Sequence, residues 1–208
     1  MVADVIPPHI RCVVFDFADT LCSTHYFLPL GEEHERLISQ LIFGASSPQW
    51  ADPWMEGKVT AKEVAEYLAG HLPLSSAEIL AGLHEGCRSL HFNPAVWDLA
   101  LAQCPQGRKT ALVTGNMDVF TEIVVPFYHL DQVFDVIVNS SDHGEGRKEI
   151  LWLMAFEQLG QGYGYSNSLL VEDSIGNVRR FEAMGGMVHR YVDDSGLQSW
   201  LAELPSGV

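Results

Sequence analysis

Several short β-rich runs of this chain end on residues that can do chemistry. The run 10–15 (IRCVVF) ends at Asp16, and 110–113 (TALV) ends at Thr114. The run 133–138 (VFDVIV) ends at Asn139-Ser140-Ser141, and 169–171 ends at Glu172-Asp173-Ser174. One polar residue after a strand is usually a turn former or a helix cap. Here the types are complementary. Asp16 with Glu172 and Asp173 would bring three carboxylates to one edge. That cluster is costly without a cation, so it implies Mg2+ or a similar hard ion. Thr114-Gly115-Asn116 precedes a helical pattern and offers a hydroxyl and backbone N–H groups to an anion. Lys148 opens the helix after the third run and can neutralise charge at the same end. Cation, hydroxyl, amides and one lysine around a carboxylate suit phosphoryl transfer. An aspartate can then serve as nucleophile and form an aspartyl-phosphate.

Elements that position these groups follow from the pattern. Strand-like runs, with a weaker fifth at 187–191, alternate with helical stretches at 94–103, 117–128, 148–159 and 175–184. Short buried strands alternating with helices predict an α/β fold, a Rossmann-like parallel sheet with helices on both faces. In such sheets ligands bind beyond the carboxyl ends of the strands. From Cys22 to about Phe92 no strand pattern occurs. That segment holds helix candidates at 32–43, 62–72 and 77–90, the last two opened by capping boxes, Thr60-Ala-Lys-Glu63 and Ser75-Ser-Ala-Glu78. A connection of that length is a domain-sized helical insertion rather than a loop. The expected division is a core of 1–21 and 93–208 with a helical cap of 22–92. The 208-residue length suits one domain with a modest insertion.

Composition narrows the class of partner. Lys and Arg total 12 against 27 Asp and Glu, a net charge of −15. Nucleic-acid binding needs a basic footprint, and an anionic membrane surface likewise attracts basic segments, so neither partner is expected. The lysines are Lys58, Lys62, Lys109 and Lys148. Cys12, Cys22, Cys87 and Cys104 form no CxxC pair and read as reduced, mostly buried thiols. Residues 1–9 lack the basic start and apolar run of a signal peptide. No apolar stretch approaches the ~20 residues of a membrane span. A cytoplasmic protein acting on a small molecule is expected; the sequence assigns no oligomeric state.

The same residues carry a resemblance. Phe15-Asp16-Phe17-Ala18-Asp19-Thr20-Leu21 resembles motif one of the haloacid dehalogenase-like (HAD) hydrolases, DxDGT(L/V). Thr114 in TALVTGN resembles motif two, and Lys148 in GRKEILWLMAFEQLG the motif-three lysine. LLVEDSIGNVRRFEAMGG resembles motif four in its Glu-Asp-Ser form. Order and spacing agree from about residue 10 to 191. The resemblance implies a Rossmann-like core, a helical cap after motif one, Mg2+ and an aspartate nucleophile. By it, Asp16 is nucleophile and metal ligand, and Thr114 holds the phosphate with the Gly115 and Asn116 amides nearby. Lys148 orients and neutralises nucleophile and phosphate. Asp173 holds the metal, directly or through water, with Glu172 beside it.

One departure matters. The family's phosphatases carry a second aspartate two residues after the nucleophile, which protonates the leaving group and then activates water. That position is Ala18 here. Its backbone carbonyl, a metal ligand in the family, is retained, but alanine transfers no proton. General acid–base catalysis is worth ~10²–10⁴-fold, so ordinary phosphomonoesters are expected to react slowly. Asp19, one residue on at the family's glycine position, is the candidate substitute for that acid and base. Three alternatives stay open beside a slow phosphatase. One is a phosphonoacetaldehyde hydrolase-like enzyme, which resembles the chain in having Ala at this position and needs a Schiff-base lysine from the cap, Lys58 or Lys62. Arg147 echoes that family's motif three. Another is a haloacid dehalogenase-like enzyme, whose independence of Mg2+ sits badly with Glu172-Asp173. The last is a catalytically impaired phosphate binder.

Other candidates have plainer readings. The glycine-rich 160–166 follows a helix and precedes a strand, the reverse of a dinucleotide fingerprint, so it reads as a loop. His25 and Tyr26 enter the cap linker and could face substrate. Trp50, Trp54 and Met55 could line a pocket or fill the cap's own core. His91-Phe92-Asn93 marks the return linker. Cys22 reads as core, and Asn177 as a neutral replacement for an aspartate found in many family members.

Overall fold

The computed structural model describes residues 6–44 and 49–204. The ends of the expected division, 1–5 and 205–208, and 45–48 of the expected cap lie outside the described residues, as does the first part of the segment weighed as a signal peptide. Five parallel strands form one sheet: β1 Cys12–Phe15, β2 Lys109–Thr114, β3 Val136–Asn139, β4 Ser168–Glu172 and β5 Met187–Arg190. Their order is β3-β2-β1-β4-β5. The chain therefore starts in the middle, and its direction of travel reverses between β1 and β4. That reversal opens a crevice beyond the carboxyl ends of the central strands.

The helices in chain order are α1 Glu32–Ile38, α2 Ala51–Met55, α3 Ala61–Ala69, α4 Ser76–Cys87 and α5 Pro94–Gln103. They continue with α6 Val125–Tyr128, α7 Ser140–His143, α8 Lys148–Leu159, α9 Ile175–Ala183 and α10 Asp194–Glu203. α1 to α4 lie between β1 and β2 in sequence. Strand alternation divides the core in two. Val13 and Phe15 face one apolar cluster, which also takes in Phe27, Trp54, Leu68 and Ile79 of the inserted helices. Cys12 and Val14 face the other, built with Trp152 and Phe156 of α8 and Phe181 of α9. The insertion thus shares one continuous core with a face of the sheet.

Both capping boxes form. Thr60 and Ser75 each accept from the N–H three residues on, and Glu63 and Glu78 accept from the cap residue's own N–H. Each satisfies backbone donors that α3 and α4 would otherwise expose unpaired. Other boundaries shift. β1 starts at Cys12 rather than at residue 10, and β3 starts at Val136 because 130–132 turn as a 3-10 segment. The helix expected over 117–128 divides into a wide π turn, Phe120–Val124, and the short α6. Pro126 lacks an N–H and its ring crowds the preceding turn, which accounts for the break. The expected helix 32–43 likewise stays α-helical only to Ile38 and ends in a π turn. α2 and α10 were not expected. α10 had a legible start, since Asp193 accepts the Gly196 N–H at 2.7 Å ahead of Leu197 and Leu201.

Among the described residues no disulfide forms; Cys12, Cys22 and Cys87 are buried and Cys104 is exposed. No helix among them is long and apolar enough to cross a membrane.

Candidate active site

Strand register sets the site. Phe15 pairs with Leu112 on one side and Val171 on the other. The next residue, Asp16, is therefore level with Val113 and Glu172, and its N–H donates to the Val171 carbonyl at 3.1 Å. Thr114 ends β2 and Glu172 ends β4 on either side of it. Lys148, the first residue of α8, reaches back to this edge. Its Nζ donates to Asp16 Oδ1 at 2.5 Å and to the Val113 carbonyl at 2.7 Å, and lies 3.5 Å from Glu172 Oε2.

The three expected carboxylates converge. Asp16, Glu172 and Asp173 each offer an oxygen, and these oxygens lie within 4.8 Å of one another. Three carboxylates face one ammonium in a site where Asp16 and Glu172 are 6% and 1% exposed. The electrostatics register the imbalance. Burial pushes the Asp16 carboxyl up despite Lys148, and burial with the Asp16 charge pushes Glu172 up to about 8. Burial alone would lower the Lys148 ammonium, but Asp16 and Glu172 beside it outweigh this and raise it above the ordinary lysine range. An all-oxygen donor set with surplus negative charge is what a hard divalent cation requires, so the residues present fit such an ion.

The anion side shows a matching gap. The Thr114 hydroxyl is buried and has no hydrogen-bond partner among the described residues. Buried hydroxyls are normally paired, so an unpaired one at a strand end points to a ligand. A Cβ built on the neighbouring Gly115 would meet only Ser140 Oγ, at 4.0 Å, so space remains beside it. Asn116 is placed differently from Gly115. Its N–H is already taken, donating to Asn139 Oδ1 at 3.1 Å and Ser140 Oγ at 3.0 Å.

Two supporting residues gain a role that sequence did not assign them: Thr20, which was given none, and Asn177, which reads as neutral. Thr20 Oγ1 accepts the Asp173 N–H at 3.0 Å and donates to Asp173 Oδ1 at 3.3 Å. One hydroxyl thus fixes both backbone and side chain of Asp173. The Asn177 amide donates to Glu172 Oε2 at 3.1 Å, and the Ser174 N–H to Oε1, also at 3.1 Å. Asn177, read as neutral, therefore holds Glu172. Its spacing was the available signal: five residues after a strand-end glutamate, on the first turn of the next helix.

A cavity of about 310 Å³ is walled on one side by Phe17, Ala18 and Asp19, which follow Asp16, and on another by Gly115 to Met117, which follow Thr114; Asp16, Thr114, Lys148, Glu172 and Asp173 themselves do not line it. Ala18 lies on this wall. Asp19 does too, with its backbone in the left-handed region (φ 56°) that favours glycine. His25 and Glu35 also line the cavity, with Nδ1 and Oε1 2.7 Å apart. Tyr26 lines it and exchanges a hydrogen bond with the Asn116 side chain. Cys22 is a buried part of the wall, where burial pushes its thiol up.

The tryptophans separate. Met55 borders the cavity, but Trp54 is fully buried and Trp50 stacks on Tyr67 at 4.5 Å. Lys58 pairs with Glu56 and Lys62 with Glu66; both are exposed, and neither lines the cavity. Arg147 pairs with Glu145. The return linker is tied to the site loop: Asn93 Nδ2 donates to the Thr20 carbonyl at 2.6 Å, and Cys22 bridges to Phe92.

No protein-family model and no curated protein matches the chain. Solved structures do. A HAD family enzyme from Bacteroides thetaiotaomicron, in complex with magnesium and inorganic phosphate, aligns at 16% identity and TM-score 0.64, covering 88% of this chain and 94% of that one. A predicted HAD-like family hydrolase from Porphyromonas gingivalis aligns at 17% and 0.66, covering 94% and 99%. L-2-haloacid dehalogenase from Xanthobacter autotrophicus aligns at 17% and 0.61, covering 95% and 84%. At such identities the likeness is one of architecture, and with the parallel sheet described above it shows that this chain has the fold of the HAD-like hydrolases.

Proposed function

We propose that this protein is a Mg2+-dependent hydrolase of a small phosphorylated substrate, with Asp16 as nucleophile. The observation that carries this reading is the carboxylate cluster of Asp16, Glu172 and Asp173, facing Lys148 and an unpartnered Thr114 hydroxyl. A neighbour of the same fold, solved with magnesium and inorganic phosphate, supports it.

Asp16, Asp173 and Glu172 would hold the metal, with the Ala18 carbonyl as the further ligand its family position implies. Bound Mg2+ would supply the positive charge that lets carboxylate and phosphate approach and that stabilises the transferring phosphoryl group. The chain's own groups do the rest. Lys148 holds one Asp16 oxygen and offsets its charge. The Thr114 hydroxyl and Gly115 N–H receive phosphate oxygens. A carboxylate oxygen of Asp16 attacks phosphorus as the bond to the leaving oxygen breaks, and water then cleaves the aspartyl-phosphate to return Asp16 and inorganic phosphate. Ala18 supplies no proton to the leaving group.

In this reading residues 22–92 act as a cap over the site. Asp118, just past Thr114, ties them down. Its carboxylate accepts the Trp54 indole N–H and the Ala61 N–H, each at 2.8 Å. Ser140 Oγ donates to the Met55 carbonyl at 2.5 Å. Gly57, at φ 64°, approaches Ser141 so closely that a Cβ would lie 2.2 Å from its carbonyl oxygen. The phosphonoacetaldehyde alternative is weakened because neither Lys58 nor Lys62 reaches the cavity. The carboxylate cluster argues against metal-independent dehalogenation.

The test compares acetyl phosphate, p-nitrophenyl phosphate and phosphonoacetaldehyde, with Mg2+ or EDTA, in wild type and Asp16→Asn. Turnover that needs both Mg2+ and Asp16 is expected with at least one phosphate ester or anhydride. Failure of every substrate would leave the phosphate-binder alternative.

A further inference from the structure

Resting on the hydrolase reading above, we infer that the substrate is an aryl phosphomonoester whose ring carries no second anionic group. Two independent features of the cavity converge on this class.

The first is the wall. Phe17, Tyr26, Phe43, Met55 and Met117 supply aromatic and thioether surface in the cavity that the loops following Asp16 and Thr114 border. Such surface suits a flat ring, through edge and face contacts and sulfur–aromatic contacts. The polar groups on the wall are mostly acidic or neutral. Asp19 and Glu35 line it, and His25 spends Nδ1 on Glu35. Among the described residues no lysine or arginine lines the cavity; Lys148 is spent on Asp16, and Lys58 and Lys62 point elsewhere. A carboxylate or second phosphate on the leaving group would lose its water here without a counter-charge, and would also meet Glu35 and Asp19. At about 310 Å³ the space is at the small end of ligand pockets, enough for one substituted ring.

The second feature is the proton inventory around the reacting edge. Lys148 is committed to two carboxylates and a carbonyl, Tyr26 to Asn116, and the ring nitrogen Nδ1 of His25 to Glu35. The side chain on the cavity wall two residues past Asp16 is Ala18. An alkoxide leaves poorly without a proton. A phenol is an acid at about 10, as in tyrosine, so phenolate can leave with its electron pair and take a proton from water afterwards. The ring that the wall accommodates is also the leaving group that tolerates the missing acid.

The experiment measures kcat/KM with Mg2+ for phenyl, 4-nitrophenyl and 4-carboxyphenyl phosphate, and for ethyl and glycerol phosphates. Phenyl phosphate is expected to exceed the alkyl esters by about 100-fold, within the range an absent general acid sets. It is also expected to exceed 4-carboxyphenyl phosphate by about tenfold, the scale of one mismatched group in a pocket. The carboxy substituent makes the phenol a better leaving group, so chemistry alone predicts the opposite order. Glu35→Arg should narrow or invert the carboxyphenyl discrimination, and Asp19→Asn provides the same readout if that variant folds poorly. Phe43→Ala, at an exposed position, should erode the aryl-over-alkyl preference. Alkyl or carboxylated esters turned over as well as phenyl phosphate would overturn the substrate class. If acetyl phosphate is then still hydrolysed in an Asp16-dependent way, the hydrolase reading survives alone. If nothing is hydrolysed, both fall.

Discussion

Lys148 Nζ sits 2.5 Å from Asp16 Oδ1 and 3.5 Å from Glu172 Oε2, and so holds the carboxyl edges of β1 and β4 to the start of α8. One ammonium serves two buried carboxylates, and a third, Asp173, lies alongside. The site is therefore arranged for binding at a cost in stability. Asp16→Asn removes one charge from the crowd. It should abolish turnover, by 10³-fold or more, while leaving urea stability in EDTA equal to wild type or higher, in line with the usual trade-off between activity and stability. A marked loss of stability would mean that the cluster is structural.

A divalent ion should repair the imbalance. Mg2+ at about 100 times its dissociation constant stabilises by ~2.7 kcal/mol, which raises the melting temperature of a chain this size by about 5 °C or more. Asp173→Asn should abolish the shift in thermal melts. The pH dependence has a definite sign. With Glu172 pushed up to about 8 from 4.5, the folded protein keeps a proton that the unfolded chain releases. In EDTA this group makes stability fall as pH rises from about 4.5 to about 8, and Mg2+ should counter the fall.

Thr20 grips Asp173 at two atoms and is fully buried. Thr20→Val keeps the shape and removes the hydroxyl. Mg2+ affinity, read by calorimetry, is expected to weaken by about 10–100-fold, as for other residues that orient metal ligands. An unchanged affinity would remove Thr20 from the metal site.

Ala18 is exposed on the cavity wall, so a longer side chain has room. Ala18→Asp should raise kcat on alkyl phosphates by ~10²–10⁴ and leave aryl phosphates far less affected. Equal gains on both classes would contradict a missing-acid origin for the slow alkyl reaction.

Asp118 joins the Trp54 indole and the start of α3 to the segment that follows β2. Asp118→Ala leaves both donors unpaired and should cost about 1–3 kcal/mol. Faster hydrogen exchange at the Ala61 amide, with a raised KM, would show the inserted helices loosening. Protection equal to wild type would mean that the apolar core alone holds them.

Local pattern determined much of this protein. Apolar runs closed by Asp16, Thr114 and Glu172 marked three strands and the edge where they end. The capping boxes at Thr60 and Ser75 set the starts of α3 and α4, and α5 and α8 lie where their apolar spacing and flanks put them, because these effects act within one or two turns of chain. Proline 126 broke a helix that periodicity alone continued. Tertiary structure decided what depends on distant chain segments meeting. The β3-β2-β1-β4-β5 order sets Asp16 between Thr114 and Glu172. Thr20 reaches across 153 residues to orient Asp173, and Asn177 turns from a neutral substitution into a partner of Glu172. The −15 charge read from composition marks an acidic protein. Only the fold gathers Asp16, Glu172 and Asp173 around one lysine, and only the packing of the inserted helices leaves an aromatic cavity bordered by the loops after Asp16 and Thr114, with no lysine among the described residues that line it. Both are long-range outcomes of burial, which residue spacing along the chain does not encode.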